Sequence, residues 1–332
     1  MMKTETLQGK EGIFSVRRFV VAYPAVPLTV LLILLFSLIA PGFLALNTFQ
    51  TAMKGNTVVL IGAIAAAIVI LTGGIDLSIS TVIAASAVFS AKYMQNAGDG
   101  PEVMLIGLLI AMLVGLLFGL VNGILIGVLG MQSFVVTMGV RLAARGIAML
   151  VSAGAAVAGC PAELIMFSFQ NLFGIPMVFV VGVILLILMA IVTKQSKWGR
   201  SLILLGSNRN SAEFCRINTR LVETAAYVLS GVLSGVAGFV SISVLGCALP
   251  GIGDNNLLLI IGGVVLGGTS MNGGEGSVAR TLIGVALLAI LTAGLDAMAV
   301  SFNVQQIIQG ILIFAGYSIT TFVSSKSPYA MR

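Results

Sequence analysis

The 332-residue sequence contains no histidine, which excludes a His-based catalytic triad, a histidine proton relay and a His-ligated metal site. Its three cysteines, Cys160, Cys215 and Cys247, lie far apart without a CxxC spacing, which argues against zinc or iron–sulfur clusters. Charge is scarce: Asp, Glu, Lys and Arg make up 8% of the chain, against about 25% in a soluble domain. No GxxxxGKS/T stretch is present, so the chain has no P-loop in which to cradle ATP phosphates. What dominates instead is apolar: hydrophobic residues make up 58%, and the mean hydropathy is +1.14. Too little polar surface remains to cover a soluble globule, so lipid must be the solvent. A soluble enzyme, a nucleic-acid binder and a secreted disulfide scaffold are excluded. The lack of His and of clustered acids also argues against a membrane-embedded enzyme.

About 20 apolar residues cross a hydrocarbon core of roughly 30 Å. That measure predicts an all-α integral membrane protein with about ten spans, at 21–40, 55–72, 78–93, 103–129, 132–152, 175–193, 223–247, 256–269, 279–297 and 304–323. The third and eighth are short, and the fourth is long enough to be tilted or broken near Asn122. Residues 1–20 lack an apolar core before Arg17 and Arg18, so they read as a cytoplasmic tail, not a signal peptide. Residues 21–323 read as the transmembrane domain and 324–332 as a second cytoplasmic tail.

Basic residues set the orientation. Lys3, Lys10, Arg17 and Arg18 precede the first span, Lys194, Lys197, Arg200, Arg209, Arg216 and Arg220 crowd into one loop, and Lys326 and Arg332 lie in the tail. Even numbers of spans separate these segments, so all fall on one side, which the positive-inside rule makes cytoplasmic. The opposite loops, near 41–47, 94–102, 153–174, 248–255 and 298–303, contain no Lys or Arg but carry Asp99, Glu102, Glu163 and Asp254. The net charge of +6 is thus mostly an orientation signal and calls for no nucleic-acid partner.

Gly107, Gly115, Gly119, Gly123 and Gly127 fall on a four-residue grid with Ala111 in the gap, and Gly231 and Gly235 repeat the spacing in the seventh span. Such a face permits close helix approach, either within the chain or at a subunit interface. Gly73, Gly74, Ile75, Asp76, Leu77 and Ser78 join the second and third spans. The glycines either end one helix while Asp76 caps the next, or break the backbone inside the membrane as a gate. The same choice applies to Gly267, Gly268, Thr269 and Ser270 with Asn272, Gly273, Gly274, Glu275 and Gly276.

The loop 194–222 exceeds the 2–8 residues typical of a helix hairpin. Its middle predicts a short helix from about Asn208, with Asn210 or Ser211 as N-cap and Glu213 in the first turn. Ala212, Phe214, Cys215 and Ile217 would give it an apolar face, suited either to docking a soluble partner or to lying on lipid headgroups.

Four stretches carry a resemblance. WGRSLILLGSNRNSAEFCRIN, LTGGIDLSIS (71–80), GLVNGILIG (119–127) with FVVTMGVRLAARGIAML (134–150), and IGGVVLGGTSMNGGEGSVARTLIG (261–284) with FNVQQIIQGILI (302–313) occur in order. Together they resemble the ribose-transport permease group of bacterial ABC sugar importers, over about residues 30–323. The chain departs from that pattern at Gly206-Ser207, Gln132-Ser133, Asn255-Asn256-Leu257, Met138 and Arg141.

The resemblance implies a permease of the bacterial inner membrane with both termini cytoplasmic. It implies pairing with a second permease, identical or not, two cytoplasmic ATPases that hold ATP and Mg, and an extracytoplasmic binding protein. The chain itself would bind no cofactor or metal. Residues 208–217 become a coupling helix, with Asn208, Ser211, Ala212, Glu213, Phe214 and Ile217 against the ATPase. Gly73, Gly74, Asp76 and Ser78 are the gate candidates. For a sugar cargo, polar residues inside spans are the pathway candidates: Asn122, Thr137, Arg145, Thr269, Asp296, Asn303, Gln305 and Gln306. Arg141 lies one turn before Arg145, and a charge at that depth needs water or a partner. Import of nucleosides or a furanose signal molecule is an alternative. An ATP-independent secondary transporter is disfavoured, because Asp76 and Asp296 are the acids read near spans and both sit near span ends. Docking of the binding protein would set its basic residues against Asp99, Glu102, Glu163 or Asp254.

Overall fold

The computed structural model describes residues 25–325. The basic residues of both predicted tails (Lys3, Lys10, Arg17, Arg18, Lys326 and Arg332) and the start of the first predicted span lie outside them, as does the side chain of Asp254. Helices dominate: α1 (Ala25–Ile39), α2 (Leu46–Leu71), α3 (Ile79–Ala97), α4 (Pro101–Gly123), α5 (Ser133–Ser152), α6 (Ala162–Phe167) and α7 (Met177–Gln195). They continue as α8 (Lys197–Ser207), α9 (Arg209–Phe214), α10 (Thr219–Leu245), α11 (Gly253–Leu266), α12 (Thr281–Ala297) and α13 (Phe302–Ser325). A two-residue antiparallel hairpin, β1 (Asn171–Leu172) with β2 (Ile175–Pro176), precedes α7.

Among the described residues six helical stretches are long and apolar enough to cross a membrane: 46–71, 101–128, 133–152, 177–195, 219–245 and 278–297. The protein is an all-α membrane protein.

A helix that is apolar all round belongs in the interior. In α2, every residue from Thr57 to Leu71 is buried, and the other helices pack around it. The glycine grid of α4 is spent inside the chain, on α10. A methyl group at Gly115 would collide with the Gly231 carbonyl, one at Gly119 would lie 2.7 Å from the Tyr227 carbonyl oxygen, and one at Gly235 would collide with the Ala111 carbonyl. Thr224 Oγ1 adds a hydrogen bond to Gly123 O at 2.9 Å. Just past Asn122, where the sequence suggests a break, α4 changes to a π-helical turn over Ile124–Val128.

The connections sort to two poles. At one, Val157 and Ala248 exchange backbone hydrogen bonds of 2.9 Å, Gln95 Nε2 donates to Ala158 O and Gln50 Nε2 donates to Gly174 O. At the other, Gly274 N donates to Leu71 O at 3.1 Å and Ser207 Oγ to Gly274 O at 3.4 Å. Lys54, just before the second predicted span, and Lys92, inside the third, belong near the first pole, with Lys54 Nζ 3.6 Å from the Phe169 ring centre and Lys92 donating to Gln95 Oε1.

Three expectations need correction. The loop 194–222 holds two helices, because Ser196 caps α8 by accepting from Gly199 N at 2.9 Å and Leu202 and Leu205 bury one face of it. The N-cap of α9 is Asn208, whose Oδ1 accepts from Ser211 N at 2.9 Å, not Asn210 or Ser211. A third acid, Glu223, lies in the first turns of α10, where Arg209 Nη1 meets its Oε2 at 3.0 Å.

Candidate functional site

Two helices, α3 and the shorter α11, begin inside the bundle, and a polar junction feeds the first of them. Gly73 takes a left-handed φ of +84° and ends α2 by donating to Ile70 O at 2.9 Å. Gly74 then packs directly against the Tyr227 hydroxyl of α10. Asp76 is buried: its Oδ1 accepts from Ser78 N (2.9 Å) and Ser78 Oγ (2.6 Å), and its Oδ2 from Ser230 Oγ (3.1 Å). Ser230 is eleven residues into α10, about 16 Å along its axis at 1.5 Å per residue. The helix-end reading therefore holds for Gly73, while Asp76 sits well within the bundle. From the opposite side Gly253, the first residue of α11, packs against the Ser80 carbonyl near the start of α3. Both helix N-termini thus meet in the interior.

Asn122 and Thr137 serve this junction. Asn122 Nδ2 donates to Ser78 Oγ at 2.9 Å, and Thr137 Oγ1 lies 3.3 Å from Ile75 O, at a longer distance than its 2.8 Å bond to Ser133 O. Both side chains are buried, and neither lines the cavity described next. Thr269 is likewise buried, beside Gly276. Arg145 and Asn303 are exposed on α5 and α13, outside the cavity described next, and Arg141 is half-buried one turn before Arg145.

The cavity opens at the pole of Pro41, Gly42 and Phe302 and has a volume of about 690 Å³. Its walls come from the first turns of α2 (Asn47, Thr48, Thr51, Asn56), from α11 (Asn256), from the end of α12 (Thr292, Asp296) and from α13 (Gln305, Gln306, Gln309). Asp296, Gln305 and Gln306, three residues the sequence singles out, come together here. Gln305 Nε2 donates to Asp296 Oδ1 at 2.7 Å and to Val300 O at 2.9 Å, and Gln309 Nε2 donates to Thr292 Oγ1 at 3.1 Å. These bonds hold the amides in place while leaving carbonyl oxygens of Gln305 and Gln309 as further acceptors. Amides and hydroxyls dominate the polar lining, and among the described residues Asp296 is its one ionisable group. Sequence reasoning misses Asn47, Thr48, Thr51, Asn56, Asn256, Thr292 and Gln309. For Asn47, Thr48 and Thr51 the signal is polar residues recurring on one face of α2 ahead of the predicted span, whereas Asn56, Asn256, Thr292 and Gln309 are polar residues within predicted spans.

At the other pole, α8 and α9 form an exposed ledge. A methyl group at Gly206 would collide with Leu71 O, and one at Gly273 would lie 2.5 Å from Gly73 N, so α8 touches both glycine-rich junctions. On α9, Ala212 is buried, Phe214 is 89% exposed, and Ser211 and Glu213 face outward. Glu213 Oε1 accepts from Thr219 Oγ1 at 3.1 Å and lies 3.7 Å from Arg209 Nε, and Ile217 N returns to Ala212 O at 3.1 Å. These ties fix the ledge to the base of α10 and leave Phe214 projecting.

Cys160 and Cys247 stand near the Val157–Ala248 pairing as free thiols. Burial, reinforced by Cys247, pushes the Cys160 thiol up to about 11. Among the described residues no group of three or more acids and cysteines gathers to hold a metal.

Residues 47–316 match the family of the branched-chain amino acid transport system / permease component. The chain is 33% identical over 303 residues to the probable ABC transporter permease protein YphD of Escherichia coli K12, covering 91% of this chain and 90% of that protein. It is 30% identical to the D-allose transport system permease protein AlsC of the same strain, over 84% of each chain. To the ribose import permease protein RbsC of that strain it is 29% identical over 94% of this chain and 97% of the relative. No solved structure matches. The chain therefore belongs to the branched-chain amino acid transport system / permease component family and is a multi-pass membrane permease.

Proposed function

We propose that this chain is the translocating subunit of an ATP-binding-cassette importer that moves a neutral sugar across the bacterial inner membrane. The observation that carries this reading is the cavity lining, which among the described residues holds many amides and hydroxyls, one carboxylate, and no Lys or Arg. Such a wall matches the donors and acceptors of a polyol. A free amino acid presents a carboxylate that a basic side chain or a helix N-terminus would meet, and the described lining supplies no basic side chain, which favours a sugar over the cargo in the family's description. The relatives named for ribose and D-allose transport support the same choice.

In this reading the chain crosses the membrane ten times with both ends in the cytoplasm. Six basic residues in the connection 194–220 support that orientation. The ledge of α8 and α9 then docks on a partner ATPase, with Asn208, Ser211, Glu213 and Phe214 at the contact and Ile217 and Ala212 holding the helix to the bundle. ATP and Mg are bound by that partner. Closure of the ATPases pushes α8, and the Gly206–Leu71 and Gly73–Gly273 contacts carry the push into the junction around Asp76. A second permease subunit completes the pathway. The cavity pole receives an extracytoplasmic binding protein, whose basic residues meet the exposed Asp99, Glu102 and Glu163.

The test is uptake into proteoliposomes holding the permease, its ATPases and its binding protein. Labelled ribose or allose is expected to accumulate with ATP, and labelled leucine is not. Uptake of leucine alone, or uphill uptake by the permease without ATPases, would overturn the reading.

A further inference from the structure

Between Glu163 and Lys194 the chain carries no charged residue. This stretch contains α6, the β1–β2 hairpin and most of α7. The hairpin and the turn before it leave an apolar surface in the open: Met166 is 62% exposed, Phe169 65%, Leu172 45% and Ile175 40%. Phe173, at the tip, is 99% exposed and adopts a left-handed φ of +52°. A bulky residue in that backbone region is an outlier that sterics disfavour. Water is a poor environment for the ring it displays.

We infer that the β1–β2 hairpin is a lipid anchor, with Phe173 and its apolar neighbours seated in the interfacial layer of the bilayer. Three observations point to lipid as the occupant. First, the surface is continuous with one that already faces lipid. β2 runs into α7 without an intervening residue, and α7 exposes Ile184, Ile187, Leu188 and Ile191 along one stripe. Second, the dimensions fit. Four residue steps lead from Phe173 to Met177, which at no more than about 3.3 Å each limits the tip to roughly 13 Å beyond the helix. The headgroup layer on each side is about 5–8 Å thick, so a hairpin lying at a slant stays within it. Third, the chemistry is that of an interfacial belt. Residues 168–176 offer Ser168, Gln170 and Asn171 as their only polar side chains, and no ion to match a soluble partner. Lys54 Nζ lies 3.6 Å from the Phe169 ring centre, and a lysine paired with aromatics is the usual furnishing of the headgroup level.

The hairpin is held for this task. Gln50 Nε2 donates to Gly174 O at 2.9 Å, and Met177 N donates to Gln170 O at 2.9 Å, which bind the turn to α2 and to the start of α7. An anchor at this place would fix the first turns of α2, which form the cavity wall, relative to the membrane surface.

The sequence has a single tryptophan, Trp198, so Trp198→Phe gives a silent background for a reporter at the tip. Phe173→Trp in that background is reconstituted into phosphatidylcholine vesicles with or without lipids brominated high on the acyl chain. An interfacial ring gives blue-shifted emission, quenched about twofold by the brominated lipid and little by aqueous acrylamide. Emission at the wavelength of indole in water, quenched by acrylamide and not by bromine, overturns the inference and leaves a soluble partner at the tip. Shielding from both quenchers overturns it in favour of a protein contact. Leu172→Trp provides the same readout if the tip variant does not fold.

Discussion

The two poles of the molecule are built on opposite terms. Around Leu71, Gly73, Gly206 and Gly273 the backbones touch, with no room for a methyl group on Gly206 or Gly273. Around Asn47, Asn56, Asp296 and Gln305 the helices stand apart and enclose about 690 Å³ lined by amides. In the proposed reading the first pole transmits displacement because nothing there compresses, and the second holds cargo through polar groups that are only partly satisfied. Asp76 marks the boundary: like Asp296 it accepts bonds from neighbouring side chains, but it is buried among helix ends while Asp296 lines an opening.

The sharpest way to break this comparison is to add bulk at each kind of glycine. Gly115→Leu drives a side chain into the Gly231 carbonyl, and overpacking of this kind costs typically about 1–3 kcal/mol or more. Thermal unfolding in detergent should show a strongly destabilised or unfolded protein. Gly139→Leu, where nothing lies within 4 Å, should stay within about 0.5 kcal/mol of the parent. Equal damage from both would remove the distinction.

Removing the two carboxylates should separate stability from transport. Asp76→Ala strips the acceptor from Ser78 and Ser230 in a buried site, a loss of about 1–3 kcal/mol in unfolding free energy. Asp296→Asn keeps an acceptor for Gln305 beside a cavity, so stability should change by less than about 1 kcal/mol. Its effect should fall on the cargo concentration for half-maximal uptake, raised about tenfold for the loss of about 1.4 kcal/mol of binding.

The smallest effect concerns thiols. Cys160 at about 11 stays protonated at pH 8, with a thiolate fraction near 0.1%, while Cys215 is exposed. Maleimide followed by peptide mass spectrometry should label Cys215 first. Cys160 should react only as the pH rises toward 11, because thiolate forms on that side of its titration. Prompt labelling of Cys160 at pH 8 would show that its pocket is open.

Much of the bundle is legible in the sequence because an apolar run leaves a helix little alternative in lipid. The predicted spans 132–152 and 279–297 nearly coincide with α5 and α12. Departures cluster where polar residues interrupt hydropathy. The second span is predicted from residue 55, yet α2 begins at Leu46, and the turns left out contain Asn47, Thr48 and Thr51 of the cavity wall. The residues that line the opening are those that made its helix look like loop. Asp296, Gln305 and Gln306 were legible because they stand at the ends of clearly apolar runs. Asn122 and Thr137 carried the same signal, but a polar side chain in a span serves a buried junction as readily as a cavity, and sequence spacing does not tell these apart. Helix α8 escaped notice because its apolar face, Leu202 and Leu205, is short and its neighbours are charged or small.

In the proposed mechanism the packed pole drives and the open pole carries. ATP-driven sugar uptake into proteoliposomes with the full set of partners tests it through two variants compared side by side. Gln305→Ala, in the cavity, should raise the cargo concentration needed for half-maximal uptake while leaving the maximal rate near that of the parent. Phe214→Asp, on the exposed ledge, should lower the maximal rate and leave that concentration unchanged. An unaltered maximal rate with Phe214→Asp, together with unaltered cargo dependence in Gln305→Ala, would contradict it.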